Sequence, residues 1–155
     1  MGSVVKDTVR DINVNKIPDR LTLYEQLIDN AEPLFQLSGK GLEETCKEHA
    51  QNLMFYDLML QECKTIEDVI RNRIEEIEGE LYKKYNEHGP RAMSSTDIKN
   101  YIKGDPKYVG TLEILLEVVH VKRKLEAVVE ALKSMGWSIN NIVKLRIAQL
   151  DHITL

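Results

Sequence analysis

Cations stand beside flat rings through the middle of the chain: Tyr82, Lys83, Lys84, Tyr85, Arg91, Lys99, Tyr101, Lys103, Lys107 and Tyr108. Ammonium and guanidinium groups neutralise phosphates and phenol rings stack on unpaired bases, so this mixture suits a single-stranded nucleic acid. Lys122, Arg123 and Lys124 add a second basic cluster. The competing reading is ordinary: tyrosines at helix ends often pack half-buried, and lysines often only solvate a face. Catalytic chemistry is not signalled. There is no phosphate-binding glycine loop, nucleophile elbow or HExxH motif. The carboxylate pairs Glu43 with Glu44, Glu75 with Glu76 and Glu78 with Glu80 fall in charge-dense helical stretches and read as solvated faces. Cys46 and His49 have CxxH spacing, but no second pair lies at zinc-site distance. Neither an enzyme, a metal nor a cofactor is expected.

The partner class is constrained by charge. The net charge of -4 argues against a polyanion partner, but it averages two unlike halves. Residues 1–82 hold 9 Lys and Arg against 17 Asp and Glu, whereas residues 83–155 hold 12 against 8. A polyanion would therefore meet the second half. With 155 residues, 43% of them hydrophobic, the chain can bury one core and reads as a single domain. No apolar run is long enough to span a bilayer, and residues 1–16 lack a signal-peptide core, so a cytoplasmic protein with no membrane partner is expected. Cys46 and Cys63 lie in helical patterns and read as reduced, half-buried packing residues.

The elements that would position the basic and aromatic residues are all helical. Residues 1–17 show only a short alternation around Ile12 and Val14 and read as an extended or mobile arm. Pro18 and Asp19 open a short helix through Leu21, Tyr24, Leu27 and Ile28 that ends near Asn30, ahead of Pro33. Ser38 to Gly41 is a break. Residues 42–87 read as a helical hairpin: one arm through Leu42, Cys46, Ala50, Leu53, Met54, Asp57 and Leu60, then Thr65 as N-cap of a second arm through Ile66, Ile70, Ile74, Ile77 and Leu81. His88, Gly89 and Pro90 break the chain again. Ser94, Ser95 and Thr96 are candidate caps for a short helix over residues 94–103, which Gly104, Asp105 and Pro106 end. No sustained alternation predicts a strand, so the fold class is all-α.

Residues 108–150 carry the strongest pattern. Ile114, Val118, Val121, Leu125, Val128, Leu132 and Met135 alternate spacings of four and three, the period of a helix built to pack on other helices. Leu112, Leu115, Leu116, Val119 and Val129 widen that apolar face beyond the needs of one neighbour, which predicts self-association. A turn is expected at Gly136 and Trp137, followed by a shorter helix folding back through Ile142.

The run EALKSMGWSINNIVKLR, residues 130–146, resembles the carboxy-terminal signature of the phage recombination mediator UvsY family: a long helix, a Lys-Ser-x-Gly-aromatic turn, Ile-x-x-Ile and then Arg. Here these are Lys133, Ser134, Gly136, Trp137, Ile139, Ile142 and Arg146. The likeness extends back through Leu112 to Leu116 and, less specifically, to NLMFYDLMLQE at residues 52–62. It covers roughly residues 42–150.

This resemblance implies an all-helical homo-oligomer, a ring of about six or seven subunits assembled through carboxy-terminal helices. It further implies binding to single-stranded DNA coated with single-strand-binding protein, and help to a RecA-type recombinase in nucleating its filament. The assembly residues are then expected to be Ile114, Val118, Val121, Leu125, Val128, Leu132, Met135, Trp137 and Ile142. The DNA residues are expected to be Lys83, Lys84, Tyr85, Arg91, Lys99, Tyr101, Lys103 and Lys107. In the family, basic residues just before the leucine that matches Leu81 contact DNA, but Glu78 and Glu80 stand here and that carry-over fails. Lys83 and Lys84 one turn later, or Lys99, Lys103 and Lys107, are the alternatives. A helical oligomerising adaptor without nucleic-acid binding is the rival reading.

Overall fold

Prolines and small polar side chains determine where the helices begin. In a computed structural model, which describes residues 12–37, 39–89 and 92–153 with the last four as backbone, the chain forms four α-helices. Arg91 and most of the amino-terminal arm lie outside the described residues. Helix α1 spans Ile17–Asp29 with Pro18 in its first turn, where the missing N–H costs nothing. It follows a 3₁₀ turn, Val14–Lys16, whose cap Asn13 accepts a hydrogen bond from the Asn15 amide at 3.0 Å. The inner end of the arm is thus coiled rather than extended. A second 3₁₀ turn, Glu32–Phe35, contains Pro33 and carries the chain towards α2.

Helix α2 spans Leu42–His88, and the expected hairpin is a single rod. No glycine or proline interrupts residues 57–70, and the Thr65 hydroxyl donates to the Gln61 carbonyl one turn back at 3.0 Å instead of capping a new helix. One buried face runs the length of the rod through Tyr56, Met59, Cys63, Ile66, Ile70, Ile77 and Leu81. Helix α3, Ser95–Gly104, starts with a capping box in which Ser94 and Asp97 satisfy each other's amides. Helix α4, Pro106–Ile153, follows after Asp105 alone. Asp105 caps it by accepting from the Lys107 amide at 2.9 Å, and Pro106 takes the first position.

The expected turn at Gly136 and Trp137 is also absent, and α4 passes straight through both residues. Gly136 serves packing instead: a β-carbon there would stand 2.8 Å from His49 Nε2, so the missing side chain lets the imidazole of α2 lie against α4. Trp137 remains 71% exposed.

Helices α2 and α4 run antiparallel. Gly136 lies by His49, Lys122 meets Glu67 at 2.5 Å, and Lys107 meets Glu80 at 2.5 Å, so the numbers fall on one helix as they rise on the other. The heptad seam is therefore filled from within the chain. Val118, Val121, Leu125 and Leu132 are buried in one core with Met59, Cys63, Ile66 and Ile70, while Ile114, Val128 and Met135 pack at its margin. These residues do not offer the free assembly face expected of them; Ile142 too is partly covered. The wider stripe divides, with Leu115 and Val129 buried and Leu116 63% exposed. Cys63 is fully buried, donates its thiol to the Val118 carbonyl at 3.7 Å and is pushed up to about 12 by burial. Cys46 is exposed, so neither cysteine is half-buried.

Helix α1 contributes Ile17, Leu21 and Tyr24 to the same core. Its Leu27 carbonyl accepts from the Tyr56 hydroxyl at 2.8 Å, Arg20 pairs with Glu62, and Glu25 receives Lys124 at 3.1 Å. A second, smaller core of Ile77, Leu81, Ile98 and Ile102 holds α3 against α2. Among the described residues no helix is long and apolar enough to cross a membrane, and there is no strand.

Candidate nucleic-acid interface

The small core gathers the basic and aromatic residues of three helix ends. The last turns of α2 bring Tyr82, Lys83, Lys84 and Tyr85; α3 brings Lys99, Tyr101 and Lys103; the start of α4 brings Lys107 and Tyr108. Ile98 and Ile102 point α3 inward, which turns Lys99, Tyr101 and Lys103 outward.

Not every cation here is available to a ligand. Lys107 is engaged with Glu80, which it holds below the ordinary carboxylate range and which also lies 3.7 Å from Arg73. Lys122 is tied to Glu67 and Lys124 to Glu25, so the second basic cluster is largely spent inside the fold. Among the described residues Lys83, Lys84, Lys99 and Lys103 have no carboxylate within ion-pair distance. Lys84 stands 5.3 Å from the centre of the Tyr85 ring, a cation–π contact that leaves its charge to solvent.

The aromatic residues are held to different degrees. The Tyr85 hydroxyl donates to Asp105 Oδ2 at 2.8 Å, which raises the phenol and lowers the Asp105 carboxyl, the latter helped by the Lys107 amide. One aspartate thereby caps α4 and orients a ring on α2. Tyr101, 59% exposed, leans on Tyr85 with ring centroids 5.8 Å apart. These two rings flank a shallow recess of about 410 Å³, completed by Asn100, Gly104, Asp105 and Pro106. On the opposite face of α3 a second recess of about 400 Å³ is lined by Glu75, Glu78, Gly79, Tyr82, Lys99, Ile102 and Lys103.

Of the expected DNA residues, Lys83, Lys84, Tyr85, Lys99, Tyr101, Lys103 and Lys107 thus share one end of the molecule. The helical period does not reveal that Gly79, Glu75 and Asn100 join them. Gly79 alone carried a signal, a glycine inside a helical pattern. Among the described residues no group of three or more His, Cys, Asp or Glu side chains could hold a metal ion.

At the other end of the molecule α4 outruns α2. Continuing the register of His49 with Gly136 brings Leu42, the first residue of α2, about level with Val143, so residues 144–153 of α4 run on past it. Leu145 is 64% and Ile147 54% exposed there, close to Trp137 along the helix. Comparison with family models, characterised proteins and solved structures finds no match to this chain.

Proposed function

We propose that this chain is a non-catalytic, self-associating protein that binds single-stranded DNA and acts as a recombination mediator. The observation that carries the reading is the cluster of uncompensated lysines, Lys83, Lys84, Lys99 and Lys103, among exposed tyrosines at one end of an otherwise acidic α2. Phosphates bind such cations with release of counterions, and bases stack on the rings. The sequence likeness at residues 130–146 supports the finer assignment, with the difference that α4 runs on as one helix where that signature has a turn. A mediator of that kind helps a RecA-type recombinase replace single-strand-binding protein.

Self-association rests on a different surface from the heptad seam. Trp137, Leu145 and Ile147 stay exposed on different sides of α4, where neighbouring chains of an assembly would cover them. A ring of six or seven copies would repeat a modest positive patch into one multivalent surface, raising avidity without a new contact. A strand drawn along that surface is bent away from its coating protein while remaining open to the recombinase.

The test is fluorescence anisotropy of a labelled oligothymidine at low and moderate salt. Binding should weaken steeply as salt rises. The triple variant Lys83→Ala, Lys84→Ala, Lys103→Ala should bind less tightly, with a log–log salt slope shallower by about two, as expected for three lost phosphate contacts on a single strand. No binding at low salt would refute the reading and favour the adaptor, to which the exposed Trp137, Leu145 and Ile147 would still be suited.

A further inference from the structure

Glycine is the poorest helix former after proline, yet Gly79 sits deep inside α2. Packing does not account for it. A β-carbon at Gly136 would collide with His49, but one at Gly79 would find no atom within 4 Å. The space it would enter is the recess between α2 and α3, which a side chain at this position would begin to fill. Absence of a side chain where a helix borders an open recess lets a ligand approach the backbone closely.

The lining specifies what such a ligand carries. Ile102, 6% exposed, forms an apolar floor, and Tyr82, 40% exposed, offers a ring at the edge. On the α2 wall Glu75 and Glu78 bring carboxylates that, among the described residues, form no ion pair. Glu78 also lies by the Tyr108 phenol, which burial first and then this carboxylate push up. On the α3 wall Lys99 and Lys103 stand one helical turn apart. A flat ring with hydrogen-bond donors on its edge and phosphate beside it matches all three features. A simple anion would meet the two carboxylates, and a simple cation the two lysines.

The geometry points to a nucleobase site in this recess, selective for a base with an exocyclic amino group. Cytosine in a single strand stacks on Tyr82, donates its amino hydrogens to Glu75 or Glu78, and has its neighbouring phosphates held by Lys99 and Lys103. Thymine presents a carbonyl oxygen where cytosine has the amino group, and that oxygen would face a carboxylate with no donor between them. The site rests on the single-strand reading above and adds a base preference to it. It also gives Glu78, which stands where a basic residue was expected, a part in reading the base.

The experiment compares labelled oligo-dC and oligo-dT of equal length by anisotropy at low salt, using the full chain and the variant Gly79→Leu. Both are flexible pyrimidine strands, so the comparison turns on the base edge, where cytosine has an amino group and an acceptor N3 and thymine a carbonyl, an N3–H and a neighbouring methyl. The natural chain should bind oligo-dC about tenfold more tightly, the effect of one well-seated base. Gly79→Leu, which fills the recess and improves helix propensity, should keep its helicity by circular dichroism and lose that preference. For the natural chain alone, dCMP should displace labelled oligo-dT at lower concentration than dTMP does. Equal binding of the two oligonucleotides, or a preference that survives in a folded Gly79→Leu variant, overturns the base site while leaving single-strand binding in place. Failure to bind either strand removes both readings.

Discussion

Gly136 and Gly79 are both helical glycines, and their neighbours separate their roles. At Gly136 the cost in helix propensity is offset by seating His49, whose Nδ1 is buried without a hydrogen-bond partner among the described residues and whose Nε2 leaves no room for a β-carbon. Alanine at this position should gain up to about 1 kcal/mol of propensity and lose it again by displacing the imidazole. A double-mutant cycle with Gly136→Ala and His49→Ala makes the expectation measurable. Denaturant unfolding should show coupling of at least about 0.5 kcal/mol, with the alanine more favourable once His49 is removed. Additive effects would mean that the two residues do not share the space. At Gly79 no neighbour competes, so packing does not explain it, and the proposed base site does.

At the scale of the element, two rods of nearly equal length decide the architecture. Helix α2 has 47 residues and α4 has 48, and each is about 70 Å long at the helical rise. Rods of that length are marginal alone and gain their stability from the shared apolar face. Leu125 is central to that face and wholly buried, so Leu125→Asp places an unpaired carboxylate among Met59, Cys63 and Ile66. The expected result is loss of the fold itself, a destabilisation of at least about 4 kcal/mol, rather than a folded chain that has merely dissociated. Circular dichroism with sedimentation separates the two: a folded monomer would place the seam between subunits. The exposed end of α4, with Trp137, Leu145 and Ile147, lies outside this core.

At the scale of the whole molecule, polar links between the rods fix their register and make stability depend on pH. Glu67 is 8% exposed and receives Lys122 of α4 and Arg71 of its own helix. The Lys122 hydrogen bond first, then that of Arg71, holds its carboxyl below the ordinary value. A carboxyl lowered by folding adds stability above the unfolded-state value of about 4.3, and that contribution is lost as pH falls through the lowered folded-state value. Glu67→Gln should therefore cost about 1–2 kcal/mol at neutral pH, where Lys122 loses its counter-charge. The difference from the natural chain should shrink steadily in denaturant titrations as the pH is lowered past that range. A gap of constant size from neutral to acid pH would show that the ion pair is not the cause.

Much of the helix content was legible because local rules act alone there. Pro18, the Ser94 and Asp97 box, and the Gly104-Asp105-Pro106 stop are satisfied within a few residues of each other, so their positions follow from neighbours in the chain. The two misplaced breaks had local signals that tertiary packing overrode. Thr65 with Asp68 looked like a cap, yet the apolar stripe on either side was worth more as one continuous face against α4. Gly136 with Trp137 looked like a turn, yet the glycine was needed by a histidine far away in sequence. The basic and aromatic residues were legible as a set, though not which lysines remained uncompensated, since Glu80 and Glu67 reach Lys107 and Lys122 across the interface. The order of amino acids by itself determined an all-helical chain with a long apolar seam and a basic, tyrosine-rich middle. Only the tertiary structure decided that the seam is filled from within the chain, and that Gly79 opens onto a recess. Both depend on the facing helix, which periodicity along a single helix does not specify.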